Sequence, residues 1–115
     1  MTLKIYHNPS CSKSRETLAI IKNKTSNFKV IEYLKNPLTF RKIKLILSQL
    51  NIKPLELIRT QESIWKENYK ERKLTNDEII NLIVSHPKLM KRPIVTTNKR
   101  AIIGRPPENV LDLFS

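Results

Sequence analysis

The fold is decided by the stretch LKIYHNPSCSKSRETL, residues 3–18. Its first five residues alternate in polarity, which predicts a strand. Pro9 ends that strand, because proline has no N–H to give to a sheet and disfavours helix at the residue before it. A helix is predicted from Cys11 to about Lys24, with Ser10 as its N-cap. The stretch therefore places the only cysteine of the chain between a strand and a helix.

The rest of the chain predicts further elements on both sides of a helical middle. Apolar residues recur at helical spacing at Ile43, Ile46, Leu47 and Leu50, and residues 75–78 form a capping box. In the last helix we expect Val110, Leu111 and Phe114 to pack inward. The predicted elements after the first helix are a strand over Phe28 to Leu34, helices that begin near residues 36–39, Pro54 and Thr75, strands over Pro93 to Thr97 and Arg100 to Ile103, and a helix that begins at Pro106 and Pro107.

This order of elements predicts the fold class. It runs βαβ, then a helical segment, then ββα, which is typical of an α/β protein with a mixed sheet and a thioredoxin-like plan. The 115 residues fit one domain, 1–115, with a helical insertion at about 38–87. No run approaches the roughly 20 apolar residues that span a bilayer, and the N-terminus has no signal-peptide core. We therefore expect a cytoplasmic protein without a membrane partner, and a monomer.

The net charge of +12 raises the question of a polyanionic partner. Lysines are scattered along most of the chain and are not interleaved with stacking aromatic residues. Scattered charge mostly makes a solvated surface, so a nucleic-acid partner is not expected. A single cysteine and two distant histidines also leave too few ligands for a metal site, and we expect no bound cofactor.

The single cysteine is the chemical centre of the sequence. At a helix start, free N–H groups and the helix dipole stabilise an anion, and basic neighbours add to this effect. Such surroundings lower a thiol pKa into the range of roughly 3.5–7.5, which makes Cys11 a nucleophile at neutral pH. The candidate neighbours are His7, Lys13 and Arg15. The alternatives are a buried structural cysteine and, for His7, a polar residue that simply ends a strand.

Four motifs carry a resemblance to a known family. They are YHNPSCSKSR at residues 6–15, LIR at 57–59, HPKLMKRP at 86–93 and GRPPE at 104–108. With these motifs in this order, nearly the whole chain resembles the glutaredoxin-coupled arsenate reductases. It resembles most closely a subgroup that carries CSKSRETL, here Cys11 to Leu18. One departure is Ser12-Lys13, where the best-studied reductases have Gly-Thr, and it bears on the preferred substrate.

The resemblance implies a thioredoxin-like fold with a helical insertion and an activity in arsenic detoxification. Cys11 would attack arsenate and expel water, glutathione would attack the arsenic as co-substrate, and glutaredoxin would reduce the adduct so that arsenite leaves. The family's anion-binding arginines correspond to Arg59, Arg92 and Arg105, and guanidinium suits an oxyanion because it binds in a bidentate manner. Pro93 corresponds to the cis-proline of thioredoxin-like folds. An anion cradle that also tunes the thiolate is expected from His7, Ser12, Lys13, Ser14 and Arg15.

Two other functions stay open from the sequence. A glutathione-dependent thiol oxidoreductase would need the same Cys11 but not three converging arginines. A non-enzymatic regulator that binds RNA polymerase is known in a related branch of the fold, where a CxxC pair senses oxidation. Here Ser14 occupies the second position, so that disulfide cannot form, although binding to an acidic protein surface remains open.

Overall fold

Four strands form one sheet within residues 2–115, the part of the chain that this computed structural model describes. They are β1 Leu3–His7, β2 Phe28–Glu32, β3 Ile94–Thr96 and β4 Ala101–Ile103. The strand order is β2-β1-β3-β4. β1 runs parallel to β2 and antiparallel to β3, and β3 runs antiparallel to β4. The predicted mixed sheet is confirmed.

The helices fall into two compact units of the chain. The α-helices are α1 Ser12–Lys24, α2 Phe40–Leu50, α3 Ser63–Asn68 and α4 Asn76–Ser85, and the 3₁₀ helices are Pro54–Leu57, Pro87–Leu89 and Pro107–Phe114. The sheet unit comprises the chain up to Asn36 together with Arg92–Ser115, and the helical unit is Pro37–Lys91. Within residues 2–115 no helix combines the length and the apolar character that a membrane span requires.

The core of the sheet unit lies between one face of the sheet, α1 and the last 3₁₀ helix. Its buried members are Leu3, Ile5, Ile21, Val95, Val110 and Leu113. Ile5 lies at the centre, because it pairs with Val30 of β2 and with Val95 of β3. α1 buries Ser14, Thr17 and Ile21, which recur at helical spacing. The first turns of α1 are therefore held in the unit by two buried hydroxyl groups.

The helical unit follows the predicted periodicity. α2 buries Ile43, Ile46 and Leu47, and it packs against α4, which buries three isoleucines of its own. The side chain of Thr39 caps α2 by accepting from the amide of Lys42. The predicted capping box at α4 is confirmed, since Thr75 and Glu78 exchange side-chain-to-backbone hydrogen bonds.

Two sequence predictions about α1 and β2 are wrong in detail. The N-cap of α1 is Cys11, not Ser10. The loop folds around Asn8, whose side-chain oxygen accepts from the Ser10 amide and whose carbonyl accepts from the Cys11 amide, so the helix starts one residue later. β2 ends at Glu32 and not at Leu34, because the Glu32 carbonyl accepts from the amides of Lys35 and Asn36 in a turn.

The prediction for the last helix is also wrong in one residue. Pro107–Phe114 is a 3₁₀ helix, which has three residues per turn. Residues three apart therefore share a face, and the buried ones are Pro107, Val110 and Leu113. Leu111, expected to pack inward from an α-helical pattern, is 40% exposed.

Candidate functional site

Cys11 lies where the loop after β1 turns into α1. It is the N-cap residue, with extended backbone dihedrals, and its carbonyl accepts from the Arg15 amide in the first helical hydrogen bond. The residue is 8% exposed, so the thiol is largely withdrawn from water but open at one side. A residue at this position faces the unpaired amides of the first helical turn.

Donors from three parts of the sheet unit surround the thiol. Nη2 of Arg105 lies 3.6 Å from the Sγ of Cys11. Burial is the largest single influence on the pKa of Cys11 and raises it. The Ser14 amide, the Arg92 guanidinium and the Lys13 amide act in the opposite direction, and the pKa lies below its ordinary value. The thiolate is thus favoured by hydrogen bonds and positive charge.

Hydrogen bonds join the two segments that carry Arg92 and Arg105. The Arg92–Pro93 and Arg105–Pro106 peptide bonds are both cis. The Nε of Arg105 donates to the carbonyl of Arg92 at 2.8 Å, and the Gly104 amide donates to the carbonyl of Pro93 at 2.9 Å. These bonds join the segment before β3 to the segment after β4, so Arg92 and Arg105 lie next to each other.

His7 and Ser14 form a buried pair behind the cysteine loop. The Nδ1 of His7 lies 2.6 Å from the Oγ of Ser14, which also accepts from the amide of Asn8 at 3.0 Å. Ser14 is fully buried. Burial lowers the pKa of His7; Glu32 raises it in part, and Arg15 and Lys22 lower it further. His7 is therefore neutral near pH 7, and it meets the site through Ser14, whose amide acts on Cys11.

The other predicted members of the cradle carry exposed side chains. Ser12, Lys13 and Arg15 are exposed on the first turn of α1. The Nζ of Lys13 pairs with Glu16 at 3.7 Å. The Nη1 of Arg15 donates to the carbonyl of Pro9 at 2.8 Å, which braces the loop before Cys11. In this arrangement the backbone amide of Lys13 is hydrogen-bonded to the thiol and lowers its pKa.

Arg59 lies in the helical unit, on the segment after the 3₁₀ helix Pro54–Leu57. Its amide donates to the carbonyl of Leu89 at 2.7 Å, next to a bridge between Ile58 and Met90. Its Nη1 lies 3.3 Å from the carboxylate of Glu62, and both side chains are partly buried. Arg92 and Arg105 are thus brought to Cys11 in the sheet unit, and Arg59 is described in its own unit.

Two residues near the thiol were not predicted from the sequence. Asn8 is buried and organises the loop through three hydrogen bonds, two of its main chain and one of its side-chain oxygen. Tyr33 is buried just after β2, and the charges of Arg92 and Cys11 both act on the pKa of its hydroxyl. The sequence signal for Asn8 was its place between a strand and Pro9, which favours a turn residue. Tyr33 carried no signal beyond strand preference.

The arrangement defines a class of protein. A lone thiolate at a helix start, two guanidinium groups and free amides form a site for a nucleophile and a tetrahedral oxyanion. Within residues 2–115 no three His, Cys, Asp or Glu side chains converge as a metal site. On the thioredoxin-like sheet described above, these features define a single-cysteine oxidoreductase of the thioredoxin-like class.

The comparison with family models identifies the class more closely. The chain belongs to the ArsC family, whose model matches residues 6–113. It is 38% identical to an arsenate reductase of Haemophilus influenzae over 116 residues, covering 99% of this chain and all of that protein. It is 43% identical to the uncharacterized protein YfgD of Escherichia coli K12, covering 96% of this chain and 95% of that one.

Solved structures agree with this assignment. An arsenate reductase from Vibrio cholerae superposes with a TM-score of 0.92 at 41% identity, covering 97% of each chain. A putative arsenate reductase from Yersinia pestis has a TM-score of 0.90 at 45% identity, covering 96% of this chain and 98% of that one. The predicted family and fold class are therefore confirmed.

Proposed function

We propose that this protein reduces arsenate to arsenite, with Cys11 as nucleophile and with glutathione and glutaredoxin as external thiols. The observation that carries the proposal is the set of donors and positive charges around the Cys11 thiol. Cys11 has a lowered pKa, and it lies beside the Arg105 guanidinium, the Arg92 guanidinium and the amides of Lys13 and Ser14. The relatives named arsenate reductase point to the same substrate.

The first step joins the thiolate to the oxyanion. The Cys11 thiolate attacks the arsenic of arsenate, an As–O bond breaks, and the oxygen leaves as water after taking up protons, so that an As(V) thioester forms. Arg92 and Arg105 hold the remaining oxygens, because each guanidinium presents a rigid fork of donors. From the family resemblance, Arg59 supplies a third guanidinium. Charge that develops on the oxygens meets donors already in place, which is where catalysis gains most.

The two electrons come from outside the chain. Glutathione attacks the arsenic and displaces a second oxygen as water. Glutaredoxin then attacks the glutathione sulfur, so the two external thiols become a mixed disulfide and As(V) becomes As(III). Hydrolysis of the last As–S bond releases arsenite and returns Cys11. With one cysteine in the chain, no internal thiol can play the resolving part.

The proposed reaction scheme also indicates which cofactor, which partners and which cellular location to expect. The scheme needs no bound cofactor, since glutathione enters as co-substrate and glutaredoxin as a transient partner. Both are kept reduced in the cytoplasm, so we place the reaction there. The scheme uses one chain, and it is written for a monomer without a membrane or nucleic-acid partner.

The test is arsenate-dependent oxidation of NADPH in the presence of glutathione, glutaredoxin and glutathione reductase. We expect turnover by the wild-type protein and none by Cys11→Ser. Arg105→Ala should raise the KM for arsenate, whereas Arg100→Ala, an exposed arginine in the turn between β3 and β4, should not. No turnover by a wild-type protein whose Cys11 alkylates rapidly at pH 7 would refute arsenate as substrate. Reduction of a glutathione mixed disulfide that tolerates Arg105→Ala would then identify a thiol oxidoreductase.

A further inference from the structure

Two buried polar atoms of the sheet unit make no hydrogen bond of standard length and angle. Among residues 2–115 they are the hydroxyl of Tyr33 and the Nε of Arg92. Tyr33 is 1% exposed, so its hydroxyl is withdrawn from bulk water. Leaving a buried donor or acceptor unpaired destabilises the folded state. An unpaired buried group in a folded protein therefore calls for a specific explanation.

The two atoms belong to neighbouring side chains beside Cys11. The Tyr33 hydroxyl is close enough to Arg92, Cys11 and Asn8 for all three to act on its pKa. Burial raises that pKa most, the charge of Arg92 lowers it and Cys11 raises it, and weak side-chain hydrogen bonds with Asn8 and Arg92 lower it in part. The hydroxyl therefore stays protonated at neutral pH. A protonated hydroxyl still has lone pairs on its oxygen, so it can accept a hydrogen bond from an N–H donor.

The Nε–H of Arg92 is a donor that needs such an acceptor. A guanidinium is planar, so fixing Nε also fixes the direction of both terminal nitrogens. Arg92 acts on Cys11 both by a side-chain hydrogen bond and by its charge, which places its guanidinium beside the thiol. The carbonyl of Arg92 is already fixed by Arg105, but no hydrogen bond holds its Nε. The Nε of the guanidinium is therefore the part without a standard hydrogen bond.

We propose that Tyr33 is a positioning residue of the anion site and that it acts through Arg92. When an oxyanion draws the guanidinium toward Cys11, the Nε–H of Arg92 donates to the Tyr33 hydroxyl. This hydrogen bond orients the terminal nitrogens of Arg92 toward the Cys11 thiolate and toward the oxyanion bound to it. The inference rests on the proposed function only for the identity of the anion. Its effect on the thiolate is independent of any substrate.

The test is a double-mutant cycle with Tyr33→Phe, Arg92→Ala and the double variant, each in the full chain. Tyr33→Phe removes one oxygen and keeps the ring that fills the core. The pH dependence of Cys11 alkylation by iodoacetamide gives the thiol pKa, and turnover gives KM and kcat for arsenate. In Tyr33→Phe we expect a raised thiol pKa and a roughly tenfold higher KM, the effect of losing one hydrogen bond to a charged group. In the Arg92→Ala background the same change should have no effect.

Tyr6→Phe is the matched control. Tyr6 is also buried, but its hydroxyl is paired with Thr96 on β3. Its loss should change thermal stability and leave the thiol pKa and the KM unchanged. Two outcomes would overturn the inference: a Tyr33→Phe protein with wild-type thiol pKa and KM, or an equal effect of Tyr33→Phe with and without Arg92. If the wild-type protein does not turn over arsenate, the proposed function fails, and the alkylation cycle alone decides the role of Tyr33.

Discussion

At the scale of single residues, the site depends on groups that stay neutral as much as on groups that carry charge. His7 is buried against Ser14, and its pKa is lowered, chiefly by that burial. A neutral imidazole can hold the Ser14 hydroxyl without adding a positive charge beneath the loop. Positive charge near the thiol then comes from Arg92 and Arg105.

The lowered pKa of His7 predicts how stability depends on pH. In the unfolded chain histidine takes up a proton near pH 6.5. In the folded protein His7 takes up its proton only at a lower pH. Between these two pH values the unfolded state therefore binds more protons than the folded state. The stability contributed by neutral His7 is therefore complete above about pH 6.5 and is lost as the pH falls through that value toward the folded-state pKa. Urea unfolding between pH 7.5 and 5.5 should show this decline in the wild type and a shallower one in His7→Gln. An equal slope in both proteins would contradict it.

Tyr33 and Asn8 show which site residues a sequence pattern misses. Cys11 was found because strand, proline and helix signals lie within a few residues of it. Its approach to Arg105 joins positions 94 residues apart, and only the pairing of β1 with β3 and of β3 with β4 brings them together. The arginines were assigned from the resemblance to a family. Tyr33 had neither a local signal nor a place among the quoted motifs.

At the scale of elements, sequence signals predicted the helices that are stabilised by interactions between residues close in sequence. α2 and α4 were predicted because caps and apolar periodicity agree at each, whereas α1 was predicted with the wrong N-cap residue. α3, Ser63–Asn68, was missed because it has six residues and buries only Trp65, whose ring contacts Tyr69. Such a helix is held by burial of one large side chain, and a periodicity search cannot detect it. The 3₁₀ form of the last helix was missed for a similar reason, since its period becomes visible only through burial.

The contact between α1 and the end of β4 predicts an intolerance at Gly104. A Cβ atom there would lie 2.6 Å from the Oγ1 of Thr17 and 2.8 Å from the Cγ of Pro93. Both neighbours are buried and neither is the end of a flexible chain, so Gly104→Ala should destabilise the protein by about 1–3 kcal/mol. It should also slow alkylation of Cys11, because Arg105 is the next residue. Chemical denaturation and iodoacetamide kinetics measure the two effects.

The cause of that destabilisation can be isolated with Thr17→Ala. Thr17 Oγ1 donates to the Lys13 carbonyl at 2.8 Å, so its loss has a cost of its own. If the clash with Thr17 dominates, the double variant should be less destabilised than the sum of the single variants. Strict additivity would show that Pro93 alone excludes the Cβ atom, and an undisturbed Gly104→Ala protein would show that the segment can move away.

At the scale of the whole molecule, the charge of +12 acts on every anion that approaches Cys11. Two sources of positive electrostatic potential act together at Cys11. Arg92 and Arg105 act at short range in a partly buried site, where salt screens little. The scattered lysines act at long range through solvent, where the screening length is about 10 Å at 0.1 M salt. Salt therefore separates the two contributions.

Iodoacetate and iodoacetamide are matched probes for that separation, since they alkylate the same thiolate and differ by one negative charge. At low salt, the ratio of the iodoacetate rate to the iodoacetamide rate for Cys11 should exceed the ratio for 2-mercaptoethanol. Because the pKa of the thiol affects both reagents equally, the ratio reports the local potential alone. Between 10 mM and 0.5 M potassium chloride the ratio should fall, as the lysine contribution is screened, and then level off above the 2-mercaptoethanol value. A ratio that does not change with salt would mean that the lysines serve only solvation. A ratio that falls to the small-thiol value would mean that the two arginines do not favour an anion at Cys11, against the role assigned to them here.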